Sequence, residues 1–224
     1  MLNWAARYYP ILRALKPQLS KGDSLLEIGS GSVGIGMFYR ARFVGCEIKF
    51  ADPPKAPMLP VVASAMNLPF EDRSFEGVVV SDVLEHVPPG LREVVIKETL
   101  RVASKIAIFG FPSGNKALEY DLKLAEIYDR SPQGRPEWLD EHLRYQPFPT
   151  AALFDELPPE WTVSSFDNEN VGFHNWVMKQ EMYRLGRRIF RVLLTFLPQQ
   201  MESLLRRVDR EPYYRKIVVA QRTR

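Results

Sequence analysis

The run Glu27-Ile28-Gly29-Ser30-Gly31-Ser32-Val33-Gly34 joins one carboxylate to three glycines within eight residues. Glycine lets a chain turn sharply and lets its backbone approach a ligand, because no Cβ stands in the way. In an open parallel sheet, such a turn after a strand lies in the crevice where ligands bind. Gly29, Gly31 and Gly34 also satisfy the G-x-G-x-x-G spacing of dinucleotide sites, so glycines alone leave the ligand open. Glu27 narrows the choice, since a carboxylate beside the turn disfavours a pyrophosphate and suits a cation or an amino group. Asp52 lies 23 residues beyond Gly29. It is expected at the end of a second strand, where a carboxylate accepts ribose hydroxyl hydrogen bonds. The same residue also reads as a plain cap on the turn before Pro53.

Two further side chains have the chemistry of a general base, Asp82 and His86, just after the apolar run Gly77-Val78-Val79-Val80-Ser81. An imidazole titrates near neutrality and suits proton removal. Of the two readings of His86, a structural part of the turn that follows the strand is the favoured one. The lone cysteine, Cys46, excludes an internal disulfide and a thiolate zinc site, and no metal site is read from the sequence.

These residues need a scaffold. Residues 24–28 have the profile of a short buried parallel strand, and residues 37–43 of a short helix. Strands are expected over 47–51, 59–64, 77–81 and 105–111, with a helix over 91–104. This alternation predicts an α/β fold, a doubly wound and mostly parallel Rossmann-like sheet. The second half is less regular: helices over 115–129 and 150–157, and a proline-rich loop over 132–149 with a helical piece at 138–145. Strands over 161–166 and 216–221 enclose a long helical stretch at 174–197. Residues 2–19 read as an amphipathic helix or a pair of turns broken at Pro10 and Pro17.

With those elements placed, the chain resembles the class I S-adenosylmethionine-dependent methyltransferases. Their first motif is an acidic residue, any residue, then Gly-x-Gly-x-Gly. Glu27, Gly29 and Gly31 match it, while Val33 holds the third glycine's place and Gly34 follows one step later. Residues 63–87, with Leu68-Pro69-Phe70, Ser74-Phe75, the apolar strand and Leu84-Glu85-His86-Val87, are similar to the small-molecule, type 11-like branch in order and spacing. The resemblance covers about residues 22–112. It implies S-adenosylmethionine as cofactor, with Glu27, Gly29, Ser30, Gly31 and Asp52 around its methionine and ribose parts. By the same analogy, Ser64, Ala65 and Met66 surround the adenine, with Ser64 where the family often has Asp, and Ser81 lines the methionine end. The implied organisation is one methyltransferase domain over 1–224, an acceptor-side region at 113–160 and a helical insertion or lid at 174–211 before the last strand.

The totals set the remaining bounds. A chain of 224 residues, 46% apolar and 25% charged, buries a core without staples. A single cysteine and no signal-peptide pattern favour a reducing, cytoplasmic setting. Net charge is only +3, but residues 175–215 carry nine basic against four acidic side chains. Within 176–197, Arg184, Arg187, Arg188 and Arg191 form one stripe beside a broad apolar face. That helix is expected to pack as core, to cover an apolar acceptor, or to contact an anionic membrane surface. No nucleic-acid motif accompanies the stripe. The function expected is methyl transfer to a small-molecule or lipid-like acceptor. The alternatives are an NAD-dependent oxidoreductase and a non-catalytic cofactor-binding subunit.

Overall fold

The computed structural model describes residues 1–132 and 134–223. Gln133, within the loop expected over 132–149, and Arg224 lie outside the described residues. In chain order the strands are β1 (Leu25–Ile28), β2 (Phe43–Glu47), β3 (Met58–Val62), β4 (Phe75–Ser81), β5 (Ala103–Pro112), β6 (Trp161–Asn170) and β7 (Tyr213–Arg222). The helices are α1 (Leu2–Leu15), α2 (Arg92–Val102), α3 (Gly114–Asp129), α4 (Glu137–Arg144), α5 (Val171–Met182), α6 (Arg184–Phe196) and α7 (Pro198–Val208).

The seven strands form one sheet in the order β3-β2-β1-β4-β5-β7-β6. The first five are parallel, and β7 runs antiparallel to both β5 and β6. Strand order reverses between β1 and β4, so the crevice at their C-terminal ends is the switch point where ligands bind in such sheets. The reversed β7 departs from the all-parallel 3-2-1-4-5-6 order of the dinucleotide fold.

Both faces of the sheet are covered, which is why its central strands are continuously apolar. On one face, Ile11, Leu12 and Leu15 of α1 pack on Val79, Ile106, Ile108 and Ile217. On the other, Val95, Ile96 and Leu100 of α2 pack on Val78, Val80, Ala107 and Phe109. The helices between β6 and β7 rest on α1, with Val177, Phe190, Met201 and Leu205 against Leu2, Ala5 and Ala6.

Three expectations are corrected. Pro10 lies inside α1, which runs unbroken. The ring's lost hydrogen bond is offset by the buried stripe on either side of it, from Leu2 to Leu15. The stretch at 174–197 is two helices: Tyr183 is extended (φ −94°, ψ 138°) and separates α5 from α6. Gly186 permits this corner, because a Cβ there would overlap the Gln180 carbonyl. The second strand spans Phe43–Glu47 rather than 47–51, preceded by a single 3-10 turn at Gly34–Met37. Gly45 dilutes the strand signal in the sequence, yet it is required there, since a Cβ would overlap Met58.

Candidate active site

After β1 the chain turns through Gly29, Gly31 and Gly34, all at positive φ (73°, 53° and 52°). A Cβ on Gly29 would overlap the Val83 side chain, and one on Gly34 would overlap the Glu27 carboxylate. Val33 has φ −134°, an ordinary value for a β-branched residue. The one-residue displacement of the third glycine therefore follows the backbone: the left-handed position is 34, not 33.

Glu27 departs from expectation. It is fully buried, and its two oxygens are taken by protein donors, the Tyr8 hydroxyl at 2.7 Å and the Ile35 N–H at 2.7 Å. The carboxylate faces inward beneath the glycine turn and does not line the cavity beside it. Burial raises its pKa to about 7, against the lowering effect of the Ile35 and Tyr8 hydrogen bonds. Its geometry ties the far end of the turn to α1.

A carboxylate that does line the cavity is Glu47, at the end of β2. Its Oε2 accepts from the Gly31 N–H at 3.0 Å, and its Oε1 from its own neighbour Ile48 at 2.9 Å. Asp52 lies beyond the strand, exposed, with its backbone bonded to the Ser32 hydroxyl. The cavity measures about 420 Å³ and opens at the C-terminal ends of β1, β2 and β4. Gly29, Ser64, Ala65 and Met66 line it, together with Glu47 and Asp82. Ser64 Oγ accepts from the Met66 N–H at 3.2 Å, which shapes that loop. Ser30, Gly31 and Ser81 stand behind the lining. Ser30 donates to the Gly31 carbonyl, and the Ser81 hydroxyl is buried with no partner among the described residues. A larger cleft of about 840 Å³, lined by Arg101, Trp161 and Arg222, sits at the opposite end of the strands, away from the glycine turn.

Asp82 sits at positive φ (54°) directly after β4. Its carboxylate is held between Arg7 of α1 at 2.5 Å and the buried Arg215 of β7. Two guanidiniums occupy this one carboxylate, so the geometry makes Asp82 an anchor for α1 and β7. Arg215 continues to Glu169 at 3.3 Å, and Glu169 to His174 at 2.7 Å. Burial, with Arg7 nearby, lowers the Arg215 pKa well below its ordinary value.

His86 also lines the cavity. Its Nδ1 lies 2.6 Å from Glu141, and its Nε2 lies 3.3 Å from Nε2 of His142. Burial and the second imidazole push its pKa down to about 4. Arg7, Tyr8, Glu47, Glu85 and His142 complete this end of the sheet and were not singled out by their sequence spacing. Only Glu47 had a local signal, an acidic residue closing an apolar pentapeptide.

Residues 26–109, the stretch that holds β1 to most of β5, match the family described as "Methyltransferase domain". No curated protein matches the chain by sequence. Among solved structures, one named as a methyltransferase from an antibiotic biosynthesis pathway of Anabaena variabilis aligns at TM-score 0.55 and 14% identity. That alignment covers 96% of this chain and 98% of the other. One named as a sarcosine dimethylglycine methyltransferase from Galdieria sulphuraria aligns at TM-score 0.54 and 14% identity, covering 98% and 84%. Phosphoethanolamine N-methyltransferase 2 of Haemonchus contortus, solved with S-adenosyl-L-methionine, aligns at 0.51 and 12% identity, covering 97% of this chain and 53% of that one. Fold and glycine turn together define a Rossmann-like α/β architecture, and residues 26–109 carry the methyltransferase-domain match. That match lies in the first half of the chain, and the whole chain shares the fold of these solved structures.

Proposed function

We propose that this enzyme transfers the methyl group of S-adenosylmethionine to a small or lipid-like acceptor, in the cavity beside Gly29 and Glu47. The observation that carries the site is the glycine turn, whose backbone borders a cavity of about 420 Å³ with the Glu47 carboxylate in its lining. The residues suit the cofactor. Gly29 allows close backbone approach, Glu47 offers a carboxylate for ribose hydroxyls, and Ala65 and Met66 offer apolar surface for an adenine, with Ser64 as a polar contact. Bound S-adenosylmethionine would supply an activated methyl on a sulfonium. The protein's part is then positioning: holding the acceptor in line with the methyl and keeping water out. Among the expected bases, His86 faces the cavity, whereas Asp82 is engaged by two arginines.

Titration calorimetry with S-adenosylhomocysteine tests the site. Wild type is expected to bind in the micromolar range. Gly29→Val is expected to abolish binding, and Glu47→Ala to weaken it at least about tenfold, the loss of one charge-assisted hydrogen-bond acceptor. Tight NAD binding by wild type would overturn the reading.

The lipid-like acceptor draws support from α6. Leu185, Ile189, Val192 and Phe196 are all exposed at spacings of three and four, with Phe196 at 75%. Arg184, Arg187, Arg188 and Arg191 share the same helix. An exposed apolar stripe flanked by arginines is the composition of a helix that lies in an anionic membrane surface. No described helix is long and apolar enough to cross a membrane.

A further inference from the structure

At the cavity wall, β4 leads into a turn that carries Leu84, Glu85 and His86. Helix α4 brings His142 against it. The two imidazoles face each other through Nε2, 3.3 Å apart. Each Nδ1 is committed elsewhere, His86 to Glu141 at 2.6 Å and His142 to Asp121 at 2.7 Å. Asp121 is itself oriented by the Tyr214 hydroxyl at 2.9 Å.

This pattern constrains the protons. Where each carboxylate accepts from an Nδ1–H, neutral imidazoles are left with a lone pair on each Nε2. The two Nε2 atoms converge at 3.3 Å. A third acceptor joins them: Glu85 is fully buried, its Oε1 lies 3.8 Å from His142 Nε2, and among the described residues neither of its oxygens has a hydrogen-bond partner from another residue. A buried, unpaired carboxylate is costly unless a cation compensates it. Glu85, His86 and His142 each offer one ligand atom, all within 4.8 Å of one another. Carboxylates on the far nitrogens are the outer partners that metal-bound histidines characteristically have, since they fix the tautomer and raise ligand basicity.

We propose that Glu85, His86 and His142 bind one divalent first-row transition-metal cation, with its open coordination positions facing the cavity. Two imidazoles and a carboxylate suit Zn²⁺ or Fe²⁺ and are poor for Mg²⁺ or Ca²⁺, which prefer all-oxygen sets. This reverses the sequence reading, in which no metal was expected. Its second consequence rests on the proposed cofactor cavity: an ion beside His86 would hold an oxygen or nitrogen of the acceptor and lower its proton affinity. That would supply the activation which the arginine-bound Asp82 does not.

The test uses the full-length protein stripped with chelator and checked by metal analysis. Titration with Zn²⁺ is expected to give one equivalent bound, and Co²⁺ to give the visible absorption of a low-coordinate nitrogen and oxygen site. Glu85→Gln and His142→Ala are expected to weaken Zn²⁺ at least about a hundredfold, and the outer-shell Asp121→Asn about ten- to a hundredfold. Should a variant fail to fold, histidine ¹⁵N shifts of the wild type decide. Zn²⁺ must move both Nε2 resonances while both Nδ1 sites stay protonated. Absence of stoichiometric binding, or ¹⁵N shifts indifferent to Zn²⁺ because a proton bridges the imidazoles, overturns the proposal. Mg²⁺ matching Zn²⁺ would also overturn it. S-adenosylhomocysteine titration of the same stripped wild type reads the cofactor cavity separately, so failure of one reading leaves the other standing.

Discussion

At the residue scale, Glu27 behaves as a buttress. Its oxygens hold Ile35 N–H and Tyr8 hydroxyl rather than pointing at the cavity. Charge is then dispensable and shape is not. Glu27→Gln, which keeps one acceptor for the Ile35 N–H and a polar group for Tyr8, is expected to bind S-adenosylhomocysteine within about threefold of wild type. Glu27→Ala leaves a buried donor unpaired and a void, and is expected to cost about 3 kcal/mol of stability by urea denaturation, with loss of binding. Equal loss in both variants would restore a direct electrostatic role. The raised pKa carries a pH signature. With an ordinary value near 4.5 when unfolded and about 7 when folded, Glu27 holds its proton longer in the native state. Its contribution is therefore complete below the unfolded pKa and is lost as pH rises through 7. Tyr8, Arg7 and Glu47 are the groups that surround it. The stability of wild type relative to Glu27→Gln is expected to fall by about 3 kcal/mol between pH 4.5 and pH 8. A flat difference would mean that the carboxyl is ionised throughout.

At the element scale, α1 is held to the sheet at two points besides its apolar face. Tyr8 reaches the glycine turn, and Arg7 reaches Asp82, which in turn holds Arg215 of β7. Removing Asp82 leaves a fully buried guanidinium with Glu169 alone to compensate it. Breaking one side of a buried ion pair typically costs about 3–5 kcal/mol. Asp82→Ala is expected to lose at least about 3 kcal/mol by chemical denaturation, far more than a solvent-exposed pair would. A loss under about 1 kcal/mol would show that water compensates Arg215 and would return Asp82 to the list of possible bases. The break between α5 and α6 belongs to the same scale. Helical periodicity continues through Tyr183, and only the tight approach of Gly186 to Gln180 turns the chain.

For the whole molecule, the proposed membrane contact turns on the placement of α6. The helices from α5 to α7 use one side to cover α1 and leave the Leu185-to-Phe196 stripe outward. Flotation with vesicles containing anionic lipid is expected to carry wild type upward, and neutral vesicles to leave it behind. Arg188→Glu with Arg191→Glu is expected to abolish flotation. Indifference to lipid charge, or no flotation at all, would remove the membrane contact from the account.

The methyltransferase-domain likeness could be read along the chain because its cues are local: a carboxylate and three glycines within eight positions after a strand, then a second motif in register. The mostly parallel, doubly wound sheet followed from the alternation of strand and helix signals. Strand boundaries and side-chain direction were beyond reach of such reasoning. Asp52 and Glu47 are equally acidic and lie five positions apart, and only the pairing of β2 with β1 decides which one meets the cavity. Glu27 points inward because α1, remote in sequence from the turn, supplies Tyr8 as its partner. The histidine pair brings together residues 56 positions apart, a meeting that depends on where α4 packs. Contacts of that kind come from the closing of the core, and no spacing rule in one dimension encodes them.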